Sequence, residues 1–144
     1  MTDPLEIRAY RAGDRDGVVA LWRACDLTRP WNDPDADIAL FGRDGNASIL
    51  LGIRNGRIVA TAAVGHDGHR GWLYYVAVDP ASRGVGYGRA IVRAAESWLA
   101  DRGIPKVQLM IRDSNAAVAG FYAALGFETA PIIVMQRWLK ETLV

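Results

Sequence analysis

Apolar and polar residues alternate from Leu5 to Tyr10, a two-residue period that predicts a first β-strand. The period then lengthens. Val18, Leu21, Trp22 and Cys25 recur at i, i+3, i+4 and i+7, which predicts a helix with Asp14 as its cap. Prolines break regularity across Thr28-Arg-Pro-Trp-Asn-Asp-Pro34, and a short second helix is expected over Asp35 to Arg43. Ser48–Arg54 and Arg57–Val64 read as strands, and Asn55-Gly56 between them supplies the positive φ angles of a tight hairpin turn. The polar, glycine-rich stretch Gly65-His-Asp-Gly-His-Arg-Gly71 leads into Trp72–Val78, which is apolar on both faces, as an inner strand is. Beyond Pro80 and a glycine-rich turn, a helix is expected over Gly88–Arg102. Its inward residues are Ile91, Ala95, Trp98 and Leu99, and Gly103 ends it. Val107–Ile111 predicts a fifth strand. A further helix starts at Ser114 or Asn115 and ends at Gly126, and Ile132–Trp138 reads as a last strand.

From Trp72 to Ile111 the order is strand, glycine turn, helix, strand, which implies two parallel strands with a right-handed crossover. The expected fold class is α+β, one domain over residues 1–144, with a mixed sheet and helices on both of its faces. The chain has 144 residues, enough for a domain of this kind to hold a core without staples. Seventeen Lys and Arg against sixteen Asp and Glu leave a net charge of +1, which argues against a general nucleic-acid binder. The single cysteine, Cys25, cannot pair within the chain, and its place on the apolar stripe predicts a buried structural thiol. Met-Thr-Asp-Pro-Leu-Glu is unlike a signal peptide, and Trp72–Val78 is far shorter than the ~20 residues of a membrane span. A soluble, cytoplasmic protein without a membrane partner is expected.

Arg83-Gly84-Val85-Gly86-Tyr87-Gly88 lies between a strand and a helix. Such a turn exposes backbone N–H groups at the positive end of the helix dipole, and glycine lets a ligand approach without a Cβ in the way. Arg83 and Arg89 add positive charge, and a pyrophosphate suits the arrangement. A plain connecting turn is the alternative at this point. No Gly-Lys-Ser/Thr ends the turn, so it is not a nucleoside-triphosphate loop. No acidic ribose partner stands about 20 residues on, so a dinucleotide fold is not indicated.

The turn has company. Val76-Ala-Val-Asp-Pro80, the glycine turn, Ser114-Asn115 and Phe121-Tyr122-Ala-Ala-Leu-Gly-Phe127 follow in order. This series resembles the signature of the GNAT superfamily of N-acetyltransferases, and its specific motifs occupy Trp72–Phe127. The resemblance implies a mostly antiparallel sheet with a splayed central parallel pair, and direct transfer of an acetyl group from acetyl-coenzyme A, without a metal, to a primary amine. It assigns the coenzyme pyrophosphate to Arg83, Gly84, Val85, Gly86, Tyr87 and Gly88, beside which Arg89 adds its charge. It assigns the pantetheine arm to the backbone of Val76, Ala77 and Val78, where an N–H also polarises the thioester carbonyl, and to Asn115. Tyr122 falls where the family often keeps a general acid, and a phenol with pKa ≈ 10 stays protonated at neutral pH. Packing beside Phe121 is its other reading. A homodimer is a habit of the family.

Leu109-Met-Ile-Arg-Asp-Ser-Asn115 is similar to the matching stretch of the ribosomal-protein N-terminal acetyltransferases, but Met110 stands where those enzymes carry a glutamate. A thioether accepts no proton at useful pH, which argues against N-terminal peptide acetylation, while other members of the superfamily recruit a base elsewhere through water. His66, Asp67 and His69 are the candidates, with a solvated loop as the alternative reading. Trp31 and Asp33 suit a small cationic amine as aromatic wall and carboxylate, or Trp31 only anchors its loop. Both this segment and Asp67-Gly-His-Arg-Gly71 resemble those of the bacterial YpeA-type subgroup. The acceptor, small amine, amino acid or peptide, stays open, and a non-catalytic acyl-coenzyme A sensor is the alternative function.

Overall fold

A computed structural model describes residues 4–140, which fall into two compact units, one ending at Leu109 and one beginning at Met110. The first holds a five-stranded sheet in the order β1-β2-β3-β4-β5. Its strands are β1 (Glu6–Ala9), β2 (Ala47–Arg54), β3 (Arg57–His66), β4 (Gly71–Val78) and β5 (Val107–Gln108). The first four pair antiparallel and β5 runs parallel to β4. The hairpin between β2 and β3 turns on Asn55 at φ 51° and Gly56 at φ 74°, as the Asn-Gly pair predicts.

Helix α1 (Arg15–Ala24) buries Val18, Leu21 and Trp22 against one face of the sheet, where Ile49, Leu51, Ile53, Ala63 and Ala77 meet them. Helix α2 (Pro34–Phe41) adds Ile38 and Phe41 to the rim of that cluster. The opposite face of the sheet receives α3 (Tyr87–Ala100), which buries Ile91, Val92, Ala95 and Leu99. At Gly71 an added Cβ would press on the buried Leu99 side chain of α3, so the glycine leaves room for that leucine against β4. Gly103, at φ 76°, ends the helical run as expected, with Ile104 N–H on the Leu99 carbonyl.

Four expectations need correction. Asp14 precedes α1 but does not cap it: the short 3-10 turn Ala12–Asp14 leaves Asp14 with helical backbone, so its carboxylate turns back to Arg8 and to the Arg11 N–H. Trp98 is half-buried rather than inward, because it flanks the stripe and carries the Arg102 guanidinium 3.5 Å above its ring. The fifth strand stops at Gln108, since β5 keeps register with β4 only at Gly71↔Val107 and Trp72↔Gln108. Residues 132–138 form no strand. The apolar run Ile132–Met135 is exposed throughout, with Ile133 at 90% and Met135 at 91%, and no strand among residues 110–140 offers it a ladder.

Candidate functional site

Two features of the first unit concern chemistry, and both lie along β4. At its end, Asp79 caps the 3-10 turn Pro80–Ser82 by accepting the Ala81 N–H at 3.1 Å, and Arg57 holds the same carboxylate at 3.2 Å. The chain then passes Gly84 at φ 85° and Gly86 at φ 92°, both in the left-handed region that only glycine enters freely. Nothing lies within 4 Å of a Cβ built on either one, so the space over the turn is open. Gly86 leads directly into α3, whose first N–H groups have no acceptor inside the helix. These N–H groups, the helix dipole and exposed Arg83 and Arg89 fit a pyrophosphate.

The side chains around the turn divide their work. Tyr87 is buried, and its hydroxyl accepts from Arg54 Nη1 at 2.9 Å, so its ring anchors α3 and only its backbone faces the turn. Val85 stands exposed at the tip. Arg83 folds back: Nε donates to the Val78 carbonyl at 3.1 Å, and Nη2 lies 3.6 Å from Cys25 Sγ. Cys25 is half-buried, with its thiol directed at the same carbonyl at 3.3 Å, which makes it a structural link between α1 and the end of β4.

The second feature is a cavity of about 350 Å³ between α2 and the strands. Its charged lining residues are Asp37, Asp44, Asp67 and Arg43, and Phe41, Trp72 and Tyr74 give it aromatic walls. Asp37 is fixed from β4, since the Tyr75 hydroxyl donates to its Oδ2 at 2.5 Å. Burial first, and that bond second, push the Tyr75 phenol well above its ordinary pKa.

His66 and Asp67 line this cavity, and both accept hydrogen bonds from their own loop. His66 ends β3, and its Nδ1 accepts the Gly68 N–H at 3.1 Å, so the neutral ring carries its proton on Nε2. Asp67 Oδ1 accepts the N–H groups of Arg70 at 2.8 Å and His69 at 3.0 Å, while Oδ2 takes Trp72 Nε1 at 3.3 Å. The Arg70 N–H foremost holds this carboxyl below the usual carboxylate range. His69 is exposed in the same turn and is not part of the cavity lining. Trp31 and Asp33 do not line it either. Asp33 is the N-cap of α2, accepting the Asp35 N–H at 3.0 Å, and Trp31 sits half-exposed in the preceding loop.

Within the second unit, Asn115 closes the 3-10 turn Asp113–Asn115 and donates its backbone N–H to Arg112. Tyr122 lies on α4 (Val118–Ala124), buried between the edges of Phe121 and Phe127 at 4.9 and 5.6 Å. Desolvation alone pushes its phenol up to about 12.

The contacts that join Asp37 to Tyr75, and Trp22 through Thr61 to the Tyr75 carbonyl, escape sequence reasoning. Asp37 and Tyr75 occupy expected elements, but nothing in their spacing shows that one grips the other across 38 positions. Trp22 and Thr61 are legible only as core residues.

The chain matches the acetyltransferase (GNAT) family over residues 18–127, and it belongs to that family. An acetyltransferase of Pectobacterium atrosepticum is 42% identical over 137 residues, covering 95% of this chain and 97% of that one. Among solved structures, AAC(6')-Iy bound to the bisubstrate analogue CoA-S-monomethyl-acetylneamine superposes with a TM-score of 0.81 at 16% identity, covering 94% of this chain and 99% of that one. Glucosamine-6-phosphate N-acetyltransferase of Arabidopsis thaliana gives 0.73 at 22% identity, covering 96% and 100%. Both show the shared fold. The protein is an acyltransferase enzyme, an acetyltransferase of the GNAT type.

Proposed function

We propose that the protein transfers an acetyl group from acetyl-coenzyme A directly to the primary amine of a small acceptor that carries a second positive charge. The glycine turn at the head of α3 carries the reading: its open space, unpaired N–H groups and arginines suit the pyrophosphate of coenzyme A. The acceptor class follows from the cavity. Three carboxylates against Arg43 favour a cation, aromatic faces attract organic cations, and the volume suits a small molecule.

The chemistry needs a neutral amine. Its lone pair attacks the thioester carbon, the C–S electron pair leaves with sulfur, and an amide forms. A backbone N–H of Val76–Val78 stabilises the charge developing on the carbonyl oxygen. Tyr122 gives its proton to the departing thiolate, in keeping with a phenol that stays protonated through the neutral range. The proton lost by the amine goes to solvent or to a side chain of the loop after β3, where Asp67 Oδ2 carries a single 3.3 Å bond, His66 Nδ1 is engaged, and His69 stands exposed outside the cavity.

Calorimetry with acetyl-coenzyme A, wild type beside Gly86→Asp, tests the first half. Binding at the micromolar level, lost in the variant, supports the reading, and no binding by the wild type ends it. Thiol release with 1,4-diaminobutane against butylamine tests the second half. We expect kcat/KM at least about 10-fold higher for the diamine, a gap of about 1.4 kcal/mol that Asp37→Asn closes without changing coenzyme affinity. Equal rates for the two amines exclude recognition of a second charge.

A further inference from the structure

β4 carries one residue more than β3 between paired positions. Thr61 faces Ala77 and Ala63 faces Tyr74, so Tyr75 and Val76 together oppose Ala62. Tyr75 accommodates the bulge at φ 51°, in the left-handed region that a bulky side chain rarely enters. The surroundings hold it there. Thr61 is fully buried, and its Oγ1 accepts Trp22 Nε1 at 3.0 Å and donates to the Tyr75 carbonyl at 2.8 Å. The Trp22 and Tyr75 rings stack at 3.8 Å with 11° between planes, and the Tyr75 hydroxyl is tied to Asp37. Four elements thus meet at one peptide: α1 through Trp22, β3 through Thr61, α2 through Asp37, and β4 itself.

That peptide is planar and trans, so its C=O and N–H point in opposite directions. With the Tyr75 carbonyl drawn toward Thr61, the Val76 N–H is directed away from Thr61 and β3. The other flank of β4 is paired with β5 only at Gly71 and Trp72. We propose that Thr61, seated on Trp22, is a positioning residue that aims the Val76 N–H at the thioester carbonyl oxygen. The assignment rests on the acetyl-coenzyme A reading above and adds to it the reason that this one amide leaves the ladder. Serine at position 61 keeps the hydroxyl. Valine keeps the shape and loses it.

The test compares Thr61→Val and Thr61→Ser with wild type. Removing one oxyanion donor outright costs about 10²–10³ in kcat, so a misaimed donor is expected to cost about 10- to 100-fold. In Thr61→Val we expect that loss in kcat, with acetyl-coenzyme A affinity by calorimetry within about threefold, and Thr61→Ser restoring most of the rate. The carbonyl band of bound 13C-acetyl-coenzyme A, read by infrared difference without amine, should shift to lower frequency in wild type and lose that shift in Thr61→Val. Wild-type rate and an unchanged band in Thr61→Val overturn the proposal. If Thr61→Val does not fold, hydrogen exchange of the wild-type Val76 amide decides. Fast exchange in the free protein and protection by acetyl-coenzyme A are expected, and protection already present in the free protein overturns the proposal. The parent reading fails separately, by absence of any coenzyme binding.

Discussion

A phenol moved out of water keeps its proton to higher pH, because burial penalises the phenolate and leaves the neutral form nearly untouched. Tyr122, 8% exposed and packed against Phe121 and Phe127, is pushed up to about 12 in this way. If it is the acid that protonates the thiolate, Tyr122→Phe should lower kcat by about 100-fold or more while leaving coenzyme affinity unchanged. Full activity in that variant at saturating substrates would remove the assignment. Burial also has a consequence for stability, with a definite sign. Below pH about 10 the phenol is protonated in folded and unfolded chains alike, so its contribution is constant. As pH rises from about 10 toward 12 the unfolded chain ionises first, and stability is lost. Urea unfolding of wild type and Tyr122→Phe should therefore diverge between pH 9 and 12, with wild type losing up to roughly 2–3 kcal/mol more. A difference that does not move with pH would mean that the phenol is not desolvated.

Elements became legible where a local rule decides them. Asn55-Gly56, Gly86 and Gly103 stand in left-handed backbone where the sequence pattern places them, because positive φ is a property of those residues themselves. The bulge in β4 was not legible, since nothing in a tyrosine favours φ 51°, and the residues that hold Tyr75 there, Thr61, Trp22 and Asp37, are distant in sequence. The strand expected over Ile132–Trp138 failed for the converse reason: an apolar, β-branched run suits a strand, but a ladder needs a partner. Asp33 shows how one carboxylate supports two readings. Its sequence neighbours suggest an amine-binding loop, while its Oδ1 on the Asp35 N–H at 3.0 Å and Pro34 after it make it a helix cap. Asp33→Ala is therefore expected to cost about 0.5–2 kcal/mol in thermal or urea unfolding, with amine KM unchanged. A tenfold rise in amine KM at unaltered stability would return Asp33 to the acceptor site.

At the scale of the whole fold, the edge strand β1 has a single strand neighbour, β2, and needs other ties to the body. Arg8 supplies one, donating from Nη1 and Nη2 to the two oxygens of Asp14 at 2.8 and 2.9 Å, where β1 gives way to α1. Both side chains are mostly covered, at 22% and 13% exposure, so this paired geometry is worth more than an open surface bridge. The Arg11 N–H adds a third bond to the same carboxylate at 2.8 Å. Arg8 foremost holds the Asp14 carboxyl below its ordinary pKa. The sign follows. A depressed carboxyl contributes its full stability above the unfolded value of about 3.9, and that contribution is lost as pH falls through the lower folded value. Asp14→Asn should thus cost about 1.5–3 kcal/mol at pH 7, the range of a hydrogen bond to a charged group, and much less at pH 2. Urea midpoints for wild type and Asp14→Asn at the two pH values measure the gap. A gap that closes in acid assigns the tie between β1 and α1 to the ionised carboxylate. A gap that persists means that shape and neutral hydrogen bonds hold the edge strand, and that Arg8 contributes by packing its stem along β1.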